Sequence, residues 1–312
     1  MAVGFRGPVA FVFPGQGAQK VGMGRDLAER FPAAREVFDR ADAAAGRAVR
    51  ALCFEGSEEA LTETANAQPA ILVTSIACLS VVREASLVEP AAVAGHSLGE
   101  YSALVAAGAL GLEEGVRLVE ARARAMQAAA QARAGAMSAV LGLDEEAVTA
   151  LAEEAGVSVA NWNCPGQVVL SGEATAIERA ERLAAERGAK VVRLKVSGAF
   201  HSALMQPAAE QFEGALREAA IRDARAPVYC NMDATAHTAA EELREALLTQ
   251  ITRPVLWEQS VRRMVAEAGV ADFVEFGGRV VSGLVKRIAP GVRVFSVHDG
   301  KSAEGLMEEA GA

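Results

Sequence analysis

Apolar and polar positions follow two rhythms along this chain. Pro8 to Phe13 is a short apolar run that predicts a strand over Val9–Phe13, and it leads straight into a loop with glycines at 15, 17, 22 and 24. Ala70–Val82 (AILVTSIACLSVV) is apolar on nearly every face, the pattern of a buried central helix. Ala91–Ala94 predicts a second short strand, followed by a helical run over Leu98–Ala107, with Gly108 where a helix stops. Leu112–Gln131 repeats at the helical period. Strands alternating with helices over the first 130 residues predict a mostly parallel sheet covered on both faces.

The rhythm changes over residues 135–197. Strands are predicted at Ala136–Leu143, Val157–Asn161, Gln167–Ser171 and Lys190–Val196. Helices are predicted at Asp144–Ala155, with Asp144 as its N-cap, and at Glu173–Arg187, where Glu and Arg recur at i,i+4. That order, β-α-β-β-α-β, is the signature of a ferredoxin-like unit. The first pattern then resumes, with helices at Gln206–Ala220, Ala240–Gln250, Trp257–Ala268 and Gly283–Ile288. Strands fall at Val228–Asn231, Ala271–Phe276 and Val292–Val297. The simplest architecture is one α/β domain with a ferredoxin-like insertion.

Composition narrows the class. The chain has 312 residues, 51% hydrophobic and 23% charged, enough for a full core. A net charge of −9 argues against nucleic acid and anionic membrane as partners, although an acidic partner remains open to a local basic patch. Cys53, Cys78, Cys164 and Cys230 are scattered, with no CxxC, so they read as small buried hydrophobes and not as zinc ligands or disulfides. The N-terminus lacks the pattern of a signal peptide, and no run approaches the length of a transmembrane helix, so a cytoplasmic protein is expected.

The glycine loop at 15–24 is not a nucleotide site. No Gly-Lys-Ser/Thr follows, and the third glycine of a dinucleotide fingerprint is replaced by Lys20. Gly95-His96-Ser97-Leu98-Gly99 matches Gly-x-Ser-x-Gly between a predicted strand and a predicted helix, the setting of a nucleophile elbow. An ordinary strand–helix turn is the plainer alternative. A serine nucleophile needs a base, and there are four histidines. His96 should point away from its neighbour, His237 sits in a polar loop and looks solvated, and His298 reads as a surface residue or a local hydrogen-bond partner. His201 follows the strand that ends the insertion, where α/β enzymes keep their chemistry, and is the candidate base. No acid between Ser97 and His201 sits in an obvious strand-end loop, so either an acid elsewhere or a backbone carbonyl orients the imidazole. Arg122 has Leu118, Val119, Ala125 and Met126 at its helical neighbours. Within such an apolar stripe it needs an anion: a substrate carboxylate, or an internal salt bridge if it does not snorkel to the surface. The glycine loop then finds a use. Gln16, between two glycines, and Leu98, after the nucleophile, supply two N–H groups for a transient oxyanion.

At this point the residues resemble malonyl-CoA:acyl carrier protein transacylases over nearly the whole length. The resemblance rests on Phe13-Pro14-Gly15-Gln16-Gly17-Ala18-Gln19, Gly95-His96-Ser97-Leu98-Gly99-Glu100, Arg122 with Met126-Gln127, and Asn161-Trp162-Asn163-Cys164-Pro165-Gly166-Gln167. Phe200-His201-Ser202-Ala203-Leu204-Met205 and Gln250 before Pro254-Val255-x-Trp257 complete it. It implies an α/β hydrolase-like catalytic domain with a mostly parallel sheet, residues 1–131 and 198–312, and a ferredoxin-like subdomain, residues 132–197. It implies Ser97 as acylated nucleophile, His201 as base, and Gln250 holding His201 through its main-chain carbonyl. Gln16 and Leu98 would form the oxyanion hole, Arg122 would grip the malonyl carboxylate, and Asn161 and Asn163 would belong to a supporting polar network, if they are not turn residues bonding their own backbone.

The implied substrates are malonyl-CoA and holo acyl carrier protein, with no bound cofactor beyond the coenzyme A thioester itself, no metal, and a monomeric enzyme of fatty acid biosynthesis. The Phe200-His201 pair resembles malonyl-selective acyltransferase domains of related synthases. Carrier proteins of this type are acidic, so a basic patch is expected near the mouth, with Lys195 and Arg193 as contributors. One departure stands out: Glu275-Phe276-Gly277-Gly278-Arg279 lacks the family's Gly-Pro-Gly and is one residue short. Two rival readings are a serine esterase or thioesterase and a non-catalytic module that binds carrier protein. Arg122 and the missing acid argue against the first, and an intact Ser97, His201 and glycine loop against the second.

Overall fold

Five residues buried on both sides, Val9–Phe13, form β1 at the centre of the larger sheet. Residues 4–85 and 88–311 are described by the computed structural model. Among them the later strands are β2 (Ala92–Gly95), β3 (Gly135–Leu141), β4 (Ser158–Cys164), β5 (Gln167–Glu173), β6 (Lys190–Arg193), β7 (Val228–Tyr229), β8 (Ala236–His237), β9 (Asp272–Phe276) and β10 (Arg293–Val297). The larger sheet has the order β10-β9-β1-β2-β7-β8. Every pair in it is parallel except β7–β8. The predicted mixed α/β class with a mostly parallel sheet is therefore observed. Alternation along β1 splits the core: Val9, Phe11 and Phe13 face one apolar layer, Ala10 and Val12 the other. Phe13 pairs with Gly95 and Val12 with Glu275, so the carboxyl ends of β1, β2 and β9 finish side by side. The glycine loop, the Ser97 turn and the Glu275 loop all leave from that edge.

The smaller sheet, order β4-β5-β3-β6, is antiparallel throughout. Helices Glu145–Ala155 and Ala174–Glu186 pack on it around Leu151, Leu170 and Ile177. Asp144 caps the first of them, accepting from the Ala147 N–H at 2.8 Å. The smaller sheet is tied to the segment between helices Ala240–Thr249 and Trp257–Glu267, where Val255 donates to the Ala160 carbonyl (2.8 Å) and Trp162 to that of Val255 (2.9 Å), and Leu256 in turn donates to the Asn231 carbonyl just past β7 (2.9 Å).

Two expectations need correction. Among the described residues between β1 and β2 the chain makes five helices in succession, Arg25–Arg30, Pro32–Ala45, Val49–Glu55, Glu58–Thr62 and Thr64–Glu84, and no strand alternates with them. The last of these is also long and apolar enough, by length and composition, to cross a membrane, contrary to the sequence reading. It is instead mostly enclosed by protein, against helices Leu112–Ala132 and Pro32–Ala45. All four cysteines are free and buried.

Candidate active site

The turn after β2 is built by close backbone approach. A Cβ at Gly95 would lie 1.8 Å from the Gly99 carbonyl carbon, and one at Gly99 would lie 2.3 Å from the Phe13 oxygen. Only glycine at both positions lets β2 reverse into helix Gly99–Ala106 against β1. Ser97 between them takes φ 52°, a left-handed conformation that non-glycine residues avoid. Leu98 is the N-cap of that helix, so its N–H has no intrahelical acceptor and is free to face a ligand.

Ser97 Oγ lies 2.7 Å from His201 Nε2. The other ring nitrogen, Nδ1, donates to the main-chain oxygen of Gln250 at 2.9 Å. A backbone carbonyl, not an acid, therefore fixes the imidazole with its bare Nε2 toward the serine hydroxyl. His201 is itself at φ 56° and almost fully buried. Burial, and next the Arg122 charge, push it down to about 3, so the ring is neutral over the working pH range.

Arg122 lies within the apolar stripe that the sequence indicates, 1% exposed. Nη1 donates to Gln68 Oε1 and Nη2 to Gln250 Oε1, both at 2.8 Å, and Nη2 also reaches Ser97 Oγ at 3.3 Å. Its Cζ stands 5.5 Å from the Tyr101 ring centroid, and Nε has no partner. Among the described residues no carboxylate pairs with it, so the internal salt bridge is not what holds this cation. Neutral dipoles hold its fork, the Glu100 carboxyl acts on it from the far side of the Gln250 amide, and it faces a cavity of about 90 Å³ shared with Gln16, Ser97, Leu98, Asn161 and His201. A neighbouring hollow of about 300 Å³ shares Gln16, Leu194 and Val196 with it and carries Lys20 and Lys195.

The other candidates are placed as follows. Gln16 reaches Thr64 Oγ1 with its side-chain amide at 3.4 Å, and Thr64 Oγ1 is 3.3 Å from Ser97 Oγ. Asn161 and Asn163 both lie in β4, not in a turn, and Asn163 Oδ1 is 2.8 Å from His96 Nε2. His298 stays local, near Asp299, while His237 is not solvated as expected: it is held between Asp233 and Glu242 and half-buried. Arg193 is committed to Glu181 through two bonds, 2.6 and 2.8 Å, which leaves the exposed Lys195 as the freer charge. The short late loop is held by its own acid. Glu275 accepts from the N–H groups of Val280, Val281 and Ser282, capping helix Val281–Ile288, and Gly278 packs on Pro14 of the glycine loop.

Sequence reasoning missed Thr64, Gln68, Glu100 and Asn231. The first two are polar positions at the head of an apolar helix, a signal lost when the helix is started at Ala70. Asn231 follows a strand at the sheet's carboxyl edge, which is a signal in hindsight.

A family model for the acyl transferase domain matches residues 10–280. The malonyl CoA-acyl carrier protein transacylase of Bacillus subtilis (strain 168) is 47% identical over 303 residues, 95% of this chain and 95% of that protein. The acyl-carrier-protein S-malonyltransferase of Bartonella henselae has a TM-score of 0.93 to this structure at 39% identity, covering 98% of this chain and all of that one. A malonyl-transacylase solved in complex with its type II PKS acyl-carrier protein has a TM-score of 0.93 at 40% identity, covering 97% and 99%. With matches of this coverage, the chain belongs to the acyl transferase domain family, and within it to the malonyl-CoA:acyl carrier protein transacylases.

Proposed function

We propose that this chain moves the malonyl group from malonyl-CoA to the phosphopantetheine thiol of acyl carrier protein through a malonyl-Ser97 ester, feeding fatty acid biosynthesis. The observation that carries this is Arg122: a buried cation that, among the described residues, bonds no carboxylate, 3.3 Å from the nucleophile. A free carboxylate one short acyl chain away from the reacting carbonyl is what such a site lacks.

His201 Nε2 takes the Ser97 proton as Oγ attacks the thioester carbonyl. The oxyanion is met by the N–H groups of Gln16 and Leu98. Collapse expels the coenzyme A sulfur, which takes the proton back from His201, and leaves the ester. The carrier thiol repeats the steps in reverse, a ping-pong transfer. The malonyl carboxylate, paired with Arg122, also cancels the charge that helps to keep His201 from accepting a proton. An acetyl group does neither, and leaves the guanidinium unpaired at a cost of about several kcal/mol.

The same reading takes residues 132–197 as a ferredoxin-like subdomain on a hydrolase-like core formed by 1–131 and 198–312. The enzyme is read as a cytoplasmic monomer that needs no cofactor beyond its thioester substrate. Asn161 and Asn163 are read as a supporting polar network, Asn161 on the cavity and Asn163 behind it on His96.

Intact mass after acid quench tests the proposal. Wild type with malonyl-CoA should gain one malonyl group, lost in Ser97→Ala and sharply reduced in Arg122→Ala and with acetyl-CoA. Released malonate without an adduct would favour a hydrolase, and no adduct with no turnover a binding module.

A further inference from the structure

Glu100 is fully buried one residue into the helix that follows the nucleophile, yet nothing in the chemistry above uses it. Its Oε2 accepts from the Asn231 backbone N–H at 2.9 Å and from Gln250 Nε2 at 3.1 Å. Those two residues grip the nucleophile from either side. Asn231 Oδ1 accepts from the Ser97 N–H at 2.7 Å, while its Nδ2 donates to the Gly95 carbonyl at 2.7 Å, spanning the turn. Gln250 Nε2 donates to the Ser97 carbonyl at 3.0 Å. Its Oε1 is thereby turned to Arg122, and its main-chain oxygen holds His201.

We propose that Glu100 is the positioning residue that keeps nucleophile, base and arginine in register, acting through Asn231 and Gln250. The geometry requires an acceptor at this place. Were the Gln250 amide reversed, its oxygen would face the Ser97 carbonyl and Glu100, and its NH2 would face the Arg122 cation. One carboxyl oxygen between the two amide-bearing residues forbids that. Ser97 also needs an outside grip, because its left-handed backbone is held against its own preference. The other oxygen, Oε1, is buried with no partner, so only Oε2 is used. Burial raises the carboxyl to about 7, and because the Asn231 backbone N–H can only donate, Oε2 stays the acceptor and a proton taken up by the group sits on Oε1.

This inference rests on Ser97 as the reactive serine, and its test avoids the malonyl group. Full-length wild type, Ser97→Ala, Glu100→Gln, Glu100→Leu and Asn231→Ala are treated with a fluorophosphonate, and the labelling rate is read by intact mass per folded molecule, with folding followed by circular dichroism. Glutamine keeps an oxygen for both donors and should label within about threefold of wild type. Leucine removes the acceptor and should label about a hundredfold slower. Asn231→Ala cuts only the Ser97 branch, so it should label slowly but keep the wild-type preference for malonyl-CoA over acetyl-CoA. Glu100→Leu at wild-type speed, glutamine as slow as leucine, or Asn231→Ala at wild-type speed would each overturn the proposal. If the leucine variant does not fold, the other two variants decide. A wild type that reacts with fluorophosphonate but not with malonyl-CoA refutes malonyl transfer and leaves this test intact.

Discussion

At the scale of residues, two buried ionisable groups pull stability in opposite directions with pH. His201 is held neutral down to about 3, below its ordinary 6.5, so the unfolded chain binds the extra proton and stability falls as pH drops through that window. Glu100 is raised from 4.5 to about 7, so the folded chain binds the extra proton and stability falls as pH rises through that window. Glu100→Gln abolishes the second slope alone. Its melting temperature, relative to wild type, should therefore climb between pH 5 and pH 7.5, by the equivalent of on the order of 3 kcal/mol. Thermal melts at the two pH values check this, and a constant difference would show that Glu100 does not titrate there. Ser97, His201 and Arg122 were legible in the sequence because each breaks a local rule: a serine between glycines, a histidine past a strand end, a cation in an apolar stripe. Glu100 breaks none that can be seen locally. Its partners lie 131 and 150 residues away, and only folding brings them to it.

At the scale of elements, most strands and long helices were legible because their periods persist, although Thr64–Glu84 begins six residues before the predicted run and neither β8 nor helix Gly300–Ala310 was foreseen. The short helices between Arg25 and Thr62 were not, since they run five to fourteen residues and only Ser57 at Glu58–Thr62 provides a side-chain cap. The strand-to-helix junction at Ser97 has a sharper requirement. The chain must pass Gly99 against the carbonyl of Phe13 at the end of β1, a contact with no slack. Gly99→Ala should cost about 3 kcal/mol or more and should lose serine reactivity even where folded, because the added methyl forces β1 and the turn apart. Chemical denaturation read beside fluorophosphonate labelling checks both parts, and full reactivity in a folded variant would mean that the junction yields without disturbing Ser97. The glycine at the preceding Gly95 is under the same constraint from the other side.

At the scale of the whole molecule, the reactive cavity lies where the smaller sheet meets the carboxyl edge of the larger one, and its outer hollow carries Lys20 and Lys195. An acidic carrier protein has to deliver its thiol through that opening if the function proposed here holds. With Arg193 engaged by Glu181, Lys195 and Lys20 are the charges left to meet it. Lys195→Glu should raise the KM for carrier protein several-fold, more at low salt, and spare that for malonyl-CoA. Steady-state kinetics with each substrate varied in turn checks it, and an unchanged KM for carrier protein would remove Lys195 from the docking face. The topology that makes the opening was legible in outline, as a βαββαβ run set within an α/β pattern. The tie between β4 and Val255, through Ala160 and Trp162, was not, because it depends on backbone bonds between segments about a hundred residues apart.

The Gln250 carbonyl that steadies His201 has a further consequence, in time. Ser97 is joined to a base 104 residues later in the chain, and that base to an oxygen 49 residues beyond it. As the polypeptide leaves the ribosome, the serine emerges long before the groups that activate it. On the mechanism proposed above, nascent and half-folded chains thus carry an inert hydroxyl, and thioesters meet a reactive serine only once the last contributor has docked.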